Sequence, residues 1–153
     1  MDDQTTAEAL AAHPCWEWRA NMCLSWRGRR YTVLAITAGG RCVHLVETDN
    51  GVVRLSPYRD GDSDDPAVYR DCGGWNGTSR MLPDLSADAT AGILLGMVRE
   101  WGDERGRRLE VECIGRKQWR VCSRRDVWAE WARTDGTGES MGEAAGRCLL
   151  ACW

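Results

Sequence analysis

The sequence predicts an α+β fold: antiparallel β-meanders with two helices, in the order β-meander, helix, β-hairpin plus strand, C-terminal helix. Three observations predict it. Two tight-turn dipeptides, Gly39-Gly40 and Asn50-Gly51, sit between runs rich in β-branched and apolar residues. A broad apolar stripe repeats at helical spacing across residues 82–101. Ser140 with Glu143 reads as a capping box ahead of a second such stripe. Runs of strands separated by helices, without strict strand–helix alternation, favour antiparallel sheet. A chain of 153 residues suits one small domain, 1–153, that can divide into two sub-lobes, 1–80 and 81–153.

In chain order, residues 22–26 form a short strand, joined through the basic turn Arg27-Gly28-Arg29-Arg30 to a strand over 31–38. Gly39-Gly40 returns the chain along 41–47, pairing Leu34 with Leu45 and Ile36 with Val43. Asn50-Gly51 makes the next turn and sets Glu47 opposite Arg54 and Val46 opposite Leu55. Residues 56–80 are rich in Gly, Asp and Pro, lack periodicity, and read as a long surface loop. In the helix over 82–101, Ser86 is the expected cap and Asp88 lies in the first turn, where the dipole favours an acid. Ala87, Ala91, Leu94, Val98 and Trp101 share its apolar stripe, and Gly92 with Gly96 reads as a place of close packing.

A hairpin over 109–114 and 118–123, with Gly115-Arg116-Lys117 as a three-residue loop, sets Val111 opposite Val121, Cys113 opposite Trp119 and Glu112 opposite Arg120. One face is then apolar and the other ion-paired. Residues 126–133 read as a third strand with Trp128 and Trp131 on opposite faces, and 134–138 as a turn. The last helix covers 140–152, with Met141, Ala144, Ala145, Cys148, Leu149 and Cys152 on one stripe. This layout gives Trp101 and Trp119 a place in the core and leaves Trp16, Trp18, Trp75 and one of Trp128 or Trp131 without one.

Composition narrows the function. The chain has nine Trp, eight Cys and no Phe, and Lys117 is the only Lys among twenty basic residues. A net charge of −3 argues against a protein built mainly to hold phosphates. No segment approaches the ~20 apolar residues of a membrane span. The acidic start lacks a signal-peptide pattern, which points to a cytoplasmic protein with free thiols and no membrane partner. No C-x-x-C is present. Helical spacing accounts for Cys148 and Cys152, because buried Cys packs as a small hydrophobe. His13 with Cys15 and Cys42 with His44 are weak candidates for a zinc site, but their spacing matches no common zinc motif, and neither a metal nor another cofactor is expected.

Catalytic patterns fail on inspection. Gly138-Glu139-Ser140-Met141-Gly142 matches the nucleophile elbow, yet no His follows His44 to serve as base, and the capping box already explains Ser140. Asp60, Asp62 and Asp64 alternate like calcium ligands, but Asp65 occupies the position where the sharp turn needs Gly. The chain therefore reads as a non-enzyme. Two binding surfaces remain. One uses Trp16, Trp18, Trp75 and Trp128, Trp being enriched at interface hot spots, together with the acidic run Asp60, Asp62, Asp64 and Asp65 as a phosphate mimic. The other is the basic stretch with Arg107, Arg116, Lys117, Arg124 and Arg125, a nucleic-acid surface in the alternative reading, although acids are interleaved with it.

The stretch Leu82-Pro83-Asp84-Leu85, followed by Ala89-Thr90-Ala91-Gly92-Ile93-Leu94-Leu95 and Val98-Arg99-Glu100-Trp101, resembles a family of small uncharacterised proteins of tailed bacteriophages and prophages. Ala91 and Gly96 stand where that family often carries larger residues. The resemblance implies provenance, not mechanism. It points to a phage-encoded protein, while small size, acidic charge, the absent catalytic pattern and surplus Trp point to one that acts in the host cytoplasm by contacting a host protein or complex, in concrete form a host-defence inhibitor of the anti-CRISPR kind. A nucleic-acid-binding accessory protein and a zinc-stabilised module are the alternatives.

Overall fold

A computed structural model describes residues 2–26, 28–36, 42–49, 52–55, 68–70, 81–125 and 133–153, with backbone only for 36, 42–49, 52–55, 68–70 and 133. The expected α+β class holds, with antiparallel pairing throughout the described strands. The chain divides into two compact units, Pro14–Asp84 and a second made of Met1–His13 with Leu85–Trp153. Residues 1–13 thus group with the later part of the chain and not with the meander that follows them in sequence. No described helix is long and apolar enough to cross a membrane.

The sheet unit contains β1 (Cys23–Trp26), β2 (Arg29–Ile36), β3 (Cys42–Asp49), β4 (Val52–Leu55), β5 (Val68–Arg70) and β6 (Leu82–Pro83). Its order is β4-β3-β2-β1-β6, with β5 also on β3. The turn between β1 and β2 is tighter than the four-residue basic turn: Trp26 pairs with Arg29, and Gly28 at φ +72° supplies the left-handed conformation such a turn demands. Ile36 pairs with Val43, Glu47 with Arg54 and Val46 with Leu55, as the turn dipeptides predict. The dipeptides themselves, Gly39-Gly40 and Asn50-Gly51, lie outside the described residues.

Leu34 does not pair with Leu45. A bulge between Val33 and Ala35 gives Leu45 to Val33, so Val33 is fully buried and Leu34 is 50% exposed. A single inserted residue switches which side chain faces the core. Val33→Ala should cost about 2 kcal/mol in urea unfolding, from two lost methyl groups and the cavity they leave. Leu34→Ala should stay within about 0.5 kcal/mol. Equal losses would place the bulge elsewhere. Within the stretch read as a loop, Val68–Arg70 pairs with Cys42–His44 as β5, a contact that the aperiodic sequence does not announce. Residues 56–67 and 71–80, including Asp60, Asp62, Asp64, Asp65 and Trp75, lie outside the described set.

The second unit holds α1 (Asp3–Ala12), α2 (Asp88–Asp103), β7 (Arg108–Gly115), β8 (Gln118–Arg124), β9 (Arg133–Gly138) and α3 (Met141–Cys152). Helix α1 is additional to the two expected. Only Thr6, Ala7 and Leu10 of it are buried, too narrow a face to register as a stripe. Helix α2 begins six residues later than expected. Leu82–Pro83 is strand, the N-cap is Ala87, and Ser86 is not the cap. Its stripe does bury Ala91, Leu94 and Val98, while a Cβ on Gly92 or Gly96 would meet nothing, so this pair is not a close-packing motif.

The hairpin pairs Val111 with Val121, Cys113 with Trp119 and Glu112 with Arg120, as expected. The loop is shorter than three residues, however, because Gly115 pairs with Gln118 beyond a bulge at Ile114. The ion-paired face is present as Arg120–Glu112 at 3.3 Å and Arg124–Glu110 at 3.2 Å. On the other face Val121 is fully buried, but Val111 on the edge strand is 41% exposed.

Strand β9 runs through Arg133–Gly138, most of which the sequence reads as a turn; the stretch 126–132, with Trp128 and Trp131, is outside the described residues. Its glycines serve α3. A Cβ on Gly136 would overlap the backbone nitrogen of Cys148 and the carbonyl of Ala144. Helix α3 in turn is small-sided, with Gly142, Ala144, Ala145 and Gly146 all buried, and so can touch β8 and β9, α1 and α2 at once.

Candidate functional site

The predicted surface residues fare differently in the structure. Trp16 and Trp18 are 8% and 4% exposed and meet edge to face at 5.2 Å. They fill a core, which corrects the expectation that they lack a buried face, and they are unavailable as contact residues. Trp101 and Trp119, expected in the core, are half-buried. Trp101 instead supports two guanidinium groups, Arg105 at 4.4 Å and Arg107 at 5.1 Å from its ring centre.

Those contacts also decide much of the basic stretch. Arg107 is half-buried and donates to the Thr134 hydroxyl at 3.0 Å and the Ser123 carbonyl at 3.5 Å. Arg124 is paired with Glu110, and Arg105 lies 3.3 Å from Glu104. Arg107 and Arg124 are therefore engaged within the fold. Arg116, Lys117 and Arg125 are exposed. His13 stacks on Trp153 with ring centres 4.6 Å apart, and Cys15 is exposed. The side chains of Cys42 and His44 are outside the described set. Among the described residues, no group of three or more His, Cys, Asp or Glu is placed to hold a metal ion.

One cleft, of about 750 Å³, gathers charge within the second unit. Its walls are the start of α1 (Asp2, Asp3), the hairpin tip (Arg116, Lys117), the end of β9 with Glu139, and Glu143 and Arg147 on α3. Sequence reasoning found the two hairpin cations and the cap, but not their company, because nothing local says that α1 lands on α3.

The acidic wall is internally bonded. Ser140 caps α3, accepting from the Glu143 amide at 3.0 Å and donating to the Leu85 carbonyl at 3.2 Å. The capping box is displaced by one residue: the Glu143 carboxylate accepts from the Glu139 amide, at 2.7 Å. Glu143 is 3% exposed and is ion-paired to Arg147, four residues on. Arg147 also donates to the Thr137 carbonyl at 2.5 Å and to the Thr6 hydroxyl at 3.3 Å. This network ties α3 to β9 and to α1.

Two carboxyl groups meet here. Burial first, and the charge and hydrogen bond of Glu143 next, push Asp3 above its ordinary value. Burial acts to raise Glu143 as well, but the Arg147 guanidinium, the Glu139 amide and a hydrogen bond from Asp3 outweigh it and hold Glu143 below. Of the two, Asp3 is therefore the one that takes up a proton first as pH falls. Asp2 is lowered by its hydrogen bonds from Thr5, whose hydroxyl lies at 2.6 Å and amide at 2.8 Å. Opposite this satisfied wall, Arg116 and Lys117 face solvent at a two-residue turn. Compared with known proteins, the chain matches no family model, no curated protein and no solved structure.

Proposed function

We propose that the chain is a phage-encoded, non-enzymatic protein that acts in the host cytoplasm by binding a host protein, with a defence complex as the concrete target. The resemblance of the segment from Leu82 to Trp101 supports the provenance. The observation that supports binding is the asymmetry of the charged cleft. Asp2, Asp3 and Glu143 are bonded within the fold, while Arg116 and Lys117 are held out at the hairpin tip. An acidic segment of a partner that lies along the tip gains two charge-assisted contacts without displacing an internal one.

The test is a photo-cross-linking residue at Gln118, beside the tip, and another at Gly92, on the open side of α2. A specific host protein is expected to cross-link from Gln118 only, and its yield should fall about tenfold or more when Arg116→Glu and Lys117→Glu are combined. Equal yield from both sites, or a product that ignores the charge reversal, removes the reading. A nucleic-acid accessory role is the second reading, and the same exposed cations favour it. Filter binding over a salt series separates the two. Affinity for nucleic acid that drops steeply with salt and depends on Arg116 and Lys117 would replace the protein partner.

A further inference from the structure

We infer that the partner segment taken by the charged cleft is of mixed charge: an acidic group held by Arg116 and Lys117 and, close to it in the same segment, a cationic group held by the Glu139 carboxylate. This rests on the reading of the cleft as a docking site for an acidic segment, and it names the kind of acidic segment that fits.

Glu139 enters the fold only through its backbone. Its amide donates to the Glu143 carboxylate at 2.7 Å, while its own carboxylate is exposed and makes no hydrogen bond or ion pair among the described residues. Other acids of the cleft are engaged: Asp2 accepts from Thr5, and Glu143 is paired with Arg147. Arg116 and Lys117 are likewise exposed and unpaired among the described residues. Charges of both signs therefore stand ready in one cleft. Strand register explains why they share it. Trp119 pairs with Gly138, so Gln118 and Glu139 are the next positions outward on β8 and beyond β9, and adjacent strands lie about 4.7–4.9 Å apart. Gly115 pairs with Gln118, which sets residues 116 and 117 at the tip immediately beside them.

The charge of the cleft selects against a purely acidic occupant. Its lining holds four acids, Asp2, Asp3, Glu139 and Glu143, against three cations, Arg116, Lys117 and Arg147. A uniformly acidic chain laid on the tip brings more negative charge toward Glu139, which no cation of the fold neutralises. A chain with Lys or Arg near its acid satisfies both walls, and so is preferred over its acidic competitor. A volume of about 750 Å³ lies in the range that holds a drug-sized ligand, which gives room for several residues of extended chain and not for one side chain alone.

The test is a cycle of peptide and protein changes, read from the backbone amide shifts of the nitrogen-labelled full chain at low salt. Three end-blocked hexapeptides serve as probes: one of alternating Glu and Lys, the same with Gln for each Lys, and the same with Gln for each Glu. The Glu–Lys peptide should shift residues 116–118 and 139. It should bind about three- to fivefold more tightly than the Glu–Gln peptide, the factor expected of one exposed ion pair. Glu139→Gln keeps the amide bond to Glu143 and should bring these two peptides to equal affinity. Combined Arg116→Glu and Lys117→Glu should abolish binding of both. Equal affinity for the wild-type chain, or a preference that survives Glu139→Gln, would overturn the mixed-charge assignment while leaving acidic docking in place. No shift from either Glu-bearing peptide, or a Lys–Gln peptide that binds as tightly as the Glu–Lys one, would overturn both.

Discussion

Gly136→Ala is expected to destroy the cooperative folding of the unit formed by Met1–His13 and Leu85–Trp153. The new Cβ would overlap the Cys148 nitrogen and the Ala144 carbonyl, and would stand 2.8 Å from the Arg147 carbonyl carbon, where carbons prefer about 3.5–4.0 Å. All three are helix backbone atoms, so no side chain can rotate away. Helix α3 must lift from β9, and it carries Ala144, Ala145, Cys148 and Leu149, each at most 1% exposed. Ordinary overpacking costs about 1–3 kcal/mol. Backbone overlap at the centre of the unit belongs to the rarer class, and about 4 kcal/mol or more is expected in urea unfolding followed by circular dichroism. Gly92→Ala is the control. Its Cβ meets nothing on a helix surface, and it should gain up to about 1 kcal/mol. A wild-type midpoint for Gly136→Ala would mean that α3 does not approach β9 as described.

The same glycine shows why part of the fold was legible in the sequence and part was not. Both hairpin registers follow from local chemistry: charges oppose charges and apolar residues oppose apolar ones, and the observed pairs Glu47–Arg54 and Glu112–Arg120 obey it. Arg133–Gly138 obeys no local rule. Its Thr, Asp and Gly have turn propensity, yet the segment is a strand because α3 needs a surface without side chains. Tertiary demand overrode propensity there. Helix α1 was missed for a related reason, since its buried face is just Thr6, Ala7 and Leu10. Ser86 does not cap α2 because Leu82–Pro83 pairs with Leu24 and Ser25 of β1, far away in the chain.

The candidate site was legible only in fragments. Arg116 and Lys117 stood out as cations at a turn, and Ser140 and Glu143 as a cap. The excess of Trp misled, because Trp16 and Trp18 are core residues that take the volume Phe would fill in another composition. What sequence could not supply was adjacency. Asp3 and Glu143 are distant in the chain, and their pairing depends on α1 packing against α3, which no periodicity encodes.

That pairing gives opposite signs to two single substitutions. Glu143 has a carboxyl held below its ordinary value, so its contribution is present above about pH 4.3 and is lost as pH falls through the lower folded value. Glu143→Gln should therefore destabilise near neutral pH, by about 3 kcal/mol for a broken buried pair, and the penalty should shrink in acid. Asp3 is raised, so its protonated form is the one the fold prefers. Its favourable contribution is present below the ordinary carboxyl value and is lost as pH rises through the folded value. Asp3→Asn, which imitates the protonated acid, should match or exceed wild-type stability near neutral pH and show no advantage at about pH 3. The two changes should not add: with Gln at 143 the charge next to Asp3 is gone, and the gain from Asp3→Asn should shrink to the part that burial alone supplies. Urea midpoints of the two single variants and the double variant across a pH series check all three statements. Additive effects, or an Asp3→Asn loss that grows with pH, would show that the two carboxyl groups are not coupled.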